Sequence, residues 1–285
     1  MTGVARVHVA CRRLDAPGQY AERADEVVPI ASMYKVLLAL EVADAFERGA
    51  LRPETRVEVT PESRSPGGFG LTRFAYPAAV SLHDLMYMSL AWSDNTAADL
   101  LLDQVGVDAV HDRAARLGLA SFWLAGSCRT LLGNAGADFG YPTDTDAELG
   151  DWSPLADASD LVLERTTRAS VADLVELAAR LDADEAAHPA ACARVRELMA
   201  EQVWTFRFAQ AFSSPDWTRA SKTGTLSPWR GEFGIVTRRD GARFALAVAV
   251  RQHLVDTPPD AVDRAVAGAA WTAVQRSLDI SNASG

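Results

Sequence analysis

Ser32-Met-Tyr-Lys-Val-Leu-Leu-Ala-Leu-Glu-Val-Ala-Asp-Ala-Phe-Glu-Arg48 is the stretch on which the reading of this chain turns. Val36, Leu37, Leu40, Ala43 and Phe46 recur at helical intervals, and Gly49 can close the helix. From Val36 to Leu40 there is no charge on any side, so the first half of this helix is expected in the centre of the protein. Its opening turn sets a hydroxyl, Ser32, three residues before an amine, Lys35, hence on one face and within hydrogen-bond reach. A neutral amine there can activate the hydroxyl. That requires burial and a neighbouring cation to pull its pKa below the ordinary value of about 10.4.

Alone, the pair is weak evidence. With 18 serines in the chain, any lysine has about a 6% chance of a serine at that offset, and a helix N-cap beside a solvated amine explains it equally well. The use of lysine changes the weight. Of 28 basic residues, 26 are arginine, and Lys35 and Lys222 are the only lysines. Arginine stays charged, whereas a desolvated lysine can lose its proton, so these two positions are where a titratable amine is required.

Outward from this helix, Val7, Val9 and Cys11 alternate with His8, Ala10 and Arg12, the period of a half-buried strand, and after Ala16-Pro-Gly18 residues Gln19 to Arg23 pair back as a hairpin. Residues 60–76 are a Pro-, Gly- and Ser-rich loop, and Ser81-Leu-His-Asp84 has the form of a capping box opening a second helix. Helical patterns follow at Thr96–Gln104, Asp108–Leu117, Ser170–Leu181 and Pro189–Gln202. Residues 133–160 are acidic and turn-rich, expected as a long loop with short helical turns. Arg219–Leu226, Gly231–Arg238 and Phe244–Gln252 are β-rich, and a helix runs from Pro258 to about Ser277. Strands at both ends with helices between predict an α/β fold of one domain: an antiparallel sheet lobe from residues 1–59 and 213–285, and an inserted all-helical lobe from 60–212.

Two short strings complete the pattern. Ser93-Asp94-Asn95 lies 61 residues after Ser32 in a break between helices, and Lys222-Thr223-Gly224 opens a C-terminal strand whose backbone can line a substrate. Both lysines fall inside motifs. In this order, Ser-x-x-Lys, Ser-Asp-Asn and Lys-Thr-Gly resemble the class A β-lactamase and penicillin-binding family of active-site serine hydrolases. The resemblance runs over nearly the whole chain, and it implies that family's fold and an acyl-enzyme mechanism. By it, Ser32 is the nucleophile, Lys35 the base, Ser93 a proton relay to the leaving group, and Lys222 an electrostatic anchor. Asn95 would hold a substrate amide, Thr223 would hydrogen-bond a substrate carboxylate, and Arg230 would add a contact to that carboxylate. The N–H groups of Ser32 and Thr225 would form the oxyanion hole.

One element of the pattern is missing. Class A enzymes carry Glu-x-x-Leu-Asn after Ser-Asp-Asn, whose glutamate activates the deacylating water, and no such string occurs between Asn95 and Lys222. Glu148 and Glu164, the only glutamates from Asn95 to Ser170, lack the right followers. Acylation is therefore expected and efficient turnover is not. Three outcomes fit: a β-lactamase or related amidase or esterase, a biosynthetic acyltransferase, or a sensor that acylates and stops.

Composition excludes other classes. The 285 residues are 48% hydrophobic and 23% charged, which rules out disorder. A net charge of −10 without a dense basic cluster argues against nucleic acid as a partner. Cys11, Cys128 and Cys192 fit buried thiols rather than disulfides, and the five histidines show no metal-ligand spacing, so no metal or other cofactor is expected. The absence of Gly-x-Ser-x-Gly disfavours a Ser-His-Asp hydrolase. Residues 1–10 lack the apolar run of a signal peptide, and no stretch is long enough to span a membrane, so the expected partner is a small amide or ester in the cytoplasm.

Overall fold

A computed structural model describes residues 4–132, 163, 165–226, 228–252 and 258–283. The stretch expected as a long loop, with Glu148, lies outside them, as does Glu164.

The fold is mixed α/β. Its five-stranded antiparallel sheet joins the two ends of the chain: β1 (Val4–Arg13) and β2 (Gln19–Glu22) pair with β7 (Trp217–Leu226), β8 (Trp229–Arg238) and β9 (Arg243–Gln252) in the order β2-β1-β9-β8-β7. β7 is therefore an edge. The central strand β9 reads Phe244-Ala-Leu-Ala-Val-Ala-Val250, an alternation of large and small side chains rather than of apolar and polar. Phe244, Leu246, Val248 and Val250 pack with Val262, Val266, Ala270 and Val274 of the C-terminal helix, while Ala245, Ala247 and Ala249 belong to the core around the Ser32–Arg48 helix. The alanines let helices approach the second face closely, and both faces are dry.

The first helix starts later than its pattern suggests. Ala31–Tyr34 is a 3₁₀ turn, and α1 runs over Lys35–Glu47. A 3₁₀ turn eclipses positions three apart, so Ser32 and Lys35 still share a face. Val36 to Leu40 are fully buried, as the uncharged stretch requires. Burial continues along α1 to two carboxylates, which sequence did not suggest: Glu41 and Asp44 each receive Arg113 at 2.6 Å. A buried charge persists only with such partners.

Between the sheet-forming ends lie β3 (Val27–Pro29), β4 (Arg56–Val59), β5 (Ala78–Ser81), α2 (Leu82–Tyr87), α3 (Asn95–Val105), α4 (Val107–Arg116), β6 (Arg168–Ser170), α5 (Val171–Asp182), α6 (Pro189–Ala200) and α7 (Phe208–Ala211). The short ladders β3–β6 and β4–β5 carried no clear sequence signal. Ser81 caps α2 by accepting the Asp84 N–H at 3.1 Å, as its capping box predicts. α8 (Pro259–Ala283) closes the chain. All three cysteines are free and buried, and burial pushes the Cys11 thiol up to about 12. Among the described residues no helix is long and apolar enough to cross a membrane.

Candidate active site

Ser32 sits half-buried in the 3₁₀ turn ahead of α1, behind Ala31, whose φ of 45° is a left-handed conformation that a non-glycine adopts only under constraint. Neighbouring bonds supply that constraint: the Ile30 N–H donates to the Thr167 carbonyl at 3.0 Å and the Met33 N–H to the Ile30 carbonyl at 3.1 Å. Lys35 is fully buried, and its Nζ donates to the Ser93 carbonyl at 2.8 Å and to Asn95 Oδ1 at 2.7 Å. Among the described residues Ser32 Oγ makes no hydrogen bond, and such contacts commonly tighten only when substrate binds.

The Ser93–Asn95 wall is held by cap geometry. A π-helical turn over Met88–Trp92 follows α2 and ends at Ser93, itself left-handed at φ 64°. Asp94 then caps α3, accepting the Ala97 N–H at 2.9 Å and the Leu71 N–H at 2.6 Å. Burial pushes its carboxyl up against the pull of these donors and of Lys35. Gly70 passes so close that an added Cβ would lie 2.0 Å from Asp94 Oδ2, so glycine is required there. Asn95 Nδ2 donates to the Pro66 carbonyl at 2.9 Å, fixing the amide whose oxygen meets Lys35.

The opposite wall is β7. Lys222 is fully buried with Nζ 3.0 Å from the Thr223 carbonyl. At Gly224 the strand presses on the Ser32 turn: an added Cβ would meet the Ile30 carbonyl at 2.3 Å and Met33 Cγ at 3.0 Å. This contact brings exposed Thr225 beside the Ser32 turn. Arg230, expected to meet a substrate carboxylate, is turned to Asp263 at 3.5 Å. The arginine that reaches Thr225 is Arg207, which sequence reading passed over. It is fully buried, has φ 57°, and donates to Thr225 Oγ1 at 2.7 Å, to the Gly224 and Gly231 carbonyls at 2.9 and 2.6 Å, and to Asp263 at 2.7 Å.

Aromatic rings rim the site. Phe69, from the loop over Asn95, meets Trp204 with ring centroids 5.1 Å apart, and Trp204 meets Phe206 at 5.7 Å. Trp229 packs on the His8 ring, with centroids 5.5 Å apart. Among the described residues no group of three or more His, Cys, Asp or Glu side chains is placed to hold a metal ion.

Residues 2–274 match the sequence model of the Beta-lactamase enzyme family. The chain belongs to this family. A β-lactamase regulatory protein, BlaB, from Streptomyces cacaoi is 31% identical over 258 residues, covering 83% of this chain and 82% of that protein. Among solved structures, a β-lactamase from Sphaerobacter thermophilus superposes with a TM-score of 0.78 at 23% identity, covering 97% of this chain and 93% of its own. PBP-A superposes at 0.76 with 18% identity, covering 95% of this chain and 90% of its own. The β-lactamase-type fold is thus common to this chain and to solved proteins that share few of its residues.

Proposed function

We propose that this β-lactamase-family protein acylates Ser32 with small amides and esters of the β-lactam type and releases the acyl group slowly. The observation that carries the reading is the clasp on Lys35: one amine, fully buried, bound at once to Ser93 and Asn95. Oγ of Ser32 attacks the carbonyl carbon while Lys35, in its neutral form, takes the hydroxyl proton; Ser93 returns a proton to the departing nitrogen. The N–H groups of Ser32 and Thr225 meet the developing oxyanion. Lys222 and Thr223 attract a substrate carboxylate, Arg230 adds its charge from its place beside Asp263, and Asn95 takes the side-chain amide.

Slow release follows from the sequence, which lacks Glu-x-x-Leu-Asn between Asn95 and Lys222. A second reading, a sensor that acylates and stops, draws support from the regulatory relative in Streptomyces cacaoi. Both readings share the first step. A fluorescent penicillin should label the wild type covalently and leave Ser32→Ala unlabelled, with the adduct visible in the intact mass. Equal labelling of the two proteins overturns the nucleophile assignment.

A further inference from the structure

Glu232 lies in the middle of β8, 1% exposed, and no step of the acylation uses it. Its carboxylate accepts three hydrogen bonds: Ser221 Oγ at 2.7 Å and Gln202 Nε2 at 3.0 Å on one oxygen, and the Phe208 N–H at 3.0 Å on the other. Gln202 in turn accepts the Thr223 N–H on Oε1 at 2.9 Å. We propose that Glu232 is a positioning residue for acylation: through Gln202 and Phe208 it sets the β7 edge and the Arg207 clamp that together present the Thr225 N–H to the oxyanion. The proposal rests on the acyl-Ser32 reading.

The backbone ends set the directions in this bracket, and Ser221, which accepts Gln202 Nε2 at 3.0 Å, turns its own proton to Glu232. Backbone N–H groups of Thr223 and Phe208 only donate, so Gln202 must turn its oxygen to Thr223 and its NH₂ inward, and the group that meets that NH₂, Ser221 and Phe208 together must accept throughout. A carboxylate does this; an amide of the same shape does not.

Two consequences reach the reacting atoms. Outward N–H groups of an edge strand recur every second residue, so a β7 whose Thr223 N–H is held by Gln202 presents Thr225 next. On the other oxygen, the Phe208 N–H follows directly on Arg207, whose strained backbone aims its guanidinium at Thr225 Oγ1 and the Gly224 carbonyl. Glu232 touches neither substrate nor Ser32 in this scheme and acts only through these neighbours.

The test uses E232Q, Q202E and the exchanged pair Q202E/E232Q. In the exchange the carboxylate moves to position 202, where it accepts from the Thr223 N–H and from the amide now at position 232. The oxygen of that amide accepts from the Phe208 N–H, and the Ser221 hydroxyl, 3.0 Å from the position-202 nitrogen, turns its proton to the new carboxylate, so every donor again faces an acceptor. Acylation by a chromogenic cephalosporin is followed by stopped flow to separate the dissociation constant of the non-covalent complex from the acylation rate constant. E232Q should lower the rate constant about 10- to 100-fold while the dissociation constant moves less than about threefold. The exchanged pair should recover most of the loss. In parallel, amide hydrogen exchange at Thr223 and Phe208 should quicken at least about tenfold in E232Q and slow again in the exchanged pair. Wild-type rates and protection in E232Q overturn the proposal, and so does an E232Q defect that the exchange fails to relieve. If wild-type protein takes no acyl group at all, the failure is that of the Ser32 reading, and amide exchange alone then decides whether Glu232 holds the β7 edge.

Discussion

The two walls of the cleft are built by opposite means. The Ser93–Asn95 wall is built on a helix cap: Asp94 follows a left-handed serine and accepts the Ala97 N–H, and the Gly70–Leu71 backbone closes on the same carboxylate. The β7 wall has no cap and is held by side chains alone, those of Arg207, Gln202 and Glu232. Lys35 belongs to the first wall and Lys222 to the second. A helix cap organises a few residues by itself, whereas an edge strand has no neighbour on one side and must borrow partners from elsewhere in the fold.

The sharpest way to break this comparison is to exchange each lysine for arginine. Lys35→Arg should abolish covalent labelling by penicillin although the charge survives, because a guanidinium cannot take the serine proton and cannot fit the clasp of Ser93 and Asn95. Lys222→Arg should acylate measurably, with a reduced rate, since an electrostatic role tolerates a permanent cation. Equal losses in labelling rate would mean that the two walls do not divide the work in this way.

A smaller effect, on stability rather than rate, probes the capped wall. Asp94→Ala removes the cap of α3 and strands the buried Leu71 N–H, so urea unfolding should show a loss of about 2–4 kcal/mol. A loss below about 0.5 kcal/mol would show that the Ser93 turn is held by something other than its cap.

The smallest expected effect lies in the sheet. Burial lowers the pKa of His8 beneath its ordinary 6.5, and its Nδ1 is 3.1 Å from the Arg23 carbonyl. In the unfolded chain the imidazole regains a pKa of about 6.5, so between that value and the lower folded one the unfolded state binds more protons. Stability should therefore fall as pH drops below about 6.5, by at most about 1.4 kcal/mol per pH unit from this group, and be indifferent to His8 above it. The stability of wild type relative to His8→Leu, measured by urea unfolding at pH 7.5 and 5.5, should shrink at the lower pH; an unchanged difference contradicts a neutral buried His8.

Legibility in the sequence follows the same divide. The capping box at Ser81, the turn at Ser93–Asn95 and the uncharged run after Lys35 are written in adjacent residues, and the structure places them where those residues imply. The start of α1 falls three residues beyond Ser32 because a 3₁₀ turn and an α turn bury the same pattern. Arg207 left no local trace: a positive φ at an arginine is imposed by tertiary contacts, not by propensity. Glu232 did leave one. A lone carboxylate within the buried run Gly231–Val236 must have donors, and asking which ones leads to Gln202 and Ser221. Arg230 stands out in the sequence because it follows the Lys-Thr-Gly strand closely, yet only the fold shows that Asp263 holds it and that Arg207 is the arginine on Thr225.

The most direct measurement of the central claim is a pre-steady-state trace with a chromogenic cephalosporin. In the proposed function both walls serve acylation of Ser32, and the chain lacks the Glu-x-x-Leu-Asn element that would turn the acyl group over. The trace should show a burst of one product per protein molecule, then a steady rate well below that of an efficient β-lactamase, with the adduct mapping to Ser32. Rapid linear turnover with no burst and no trapped adduct would contradict it.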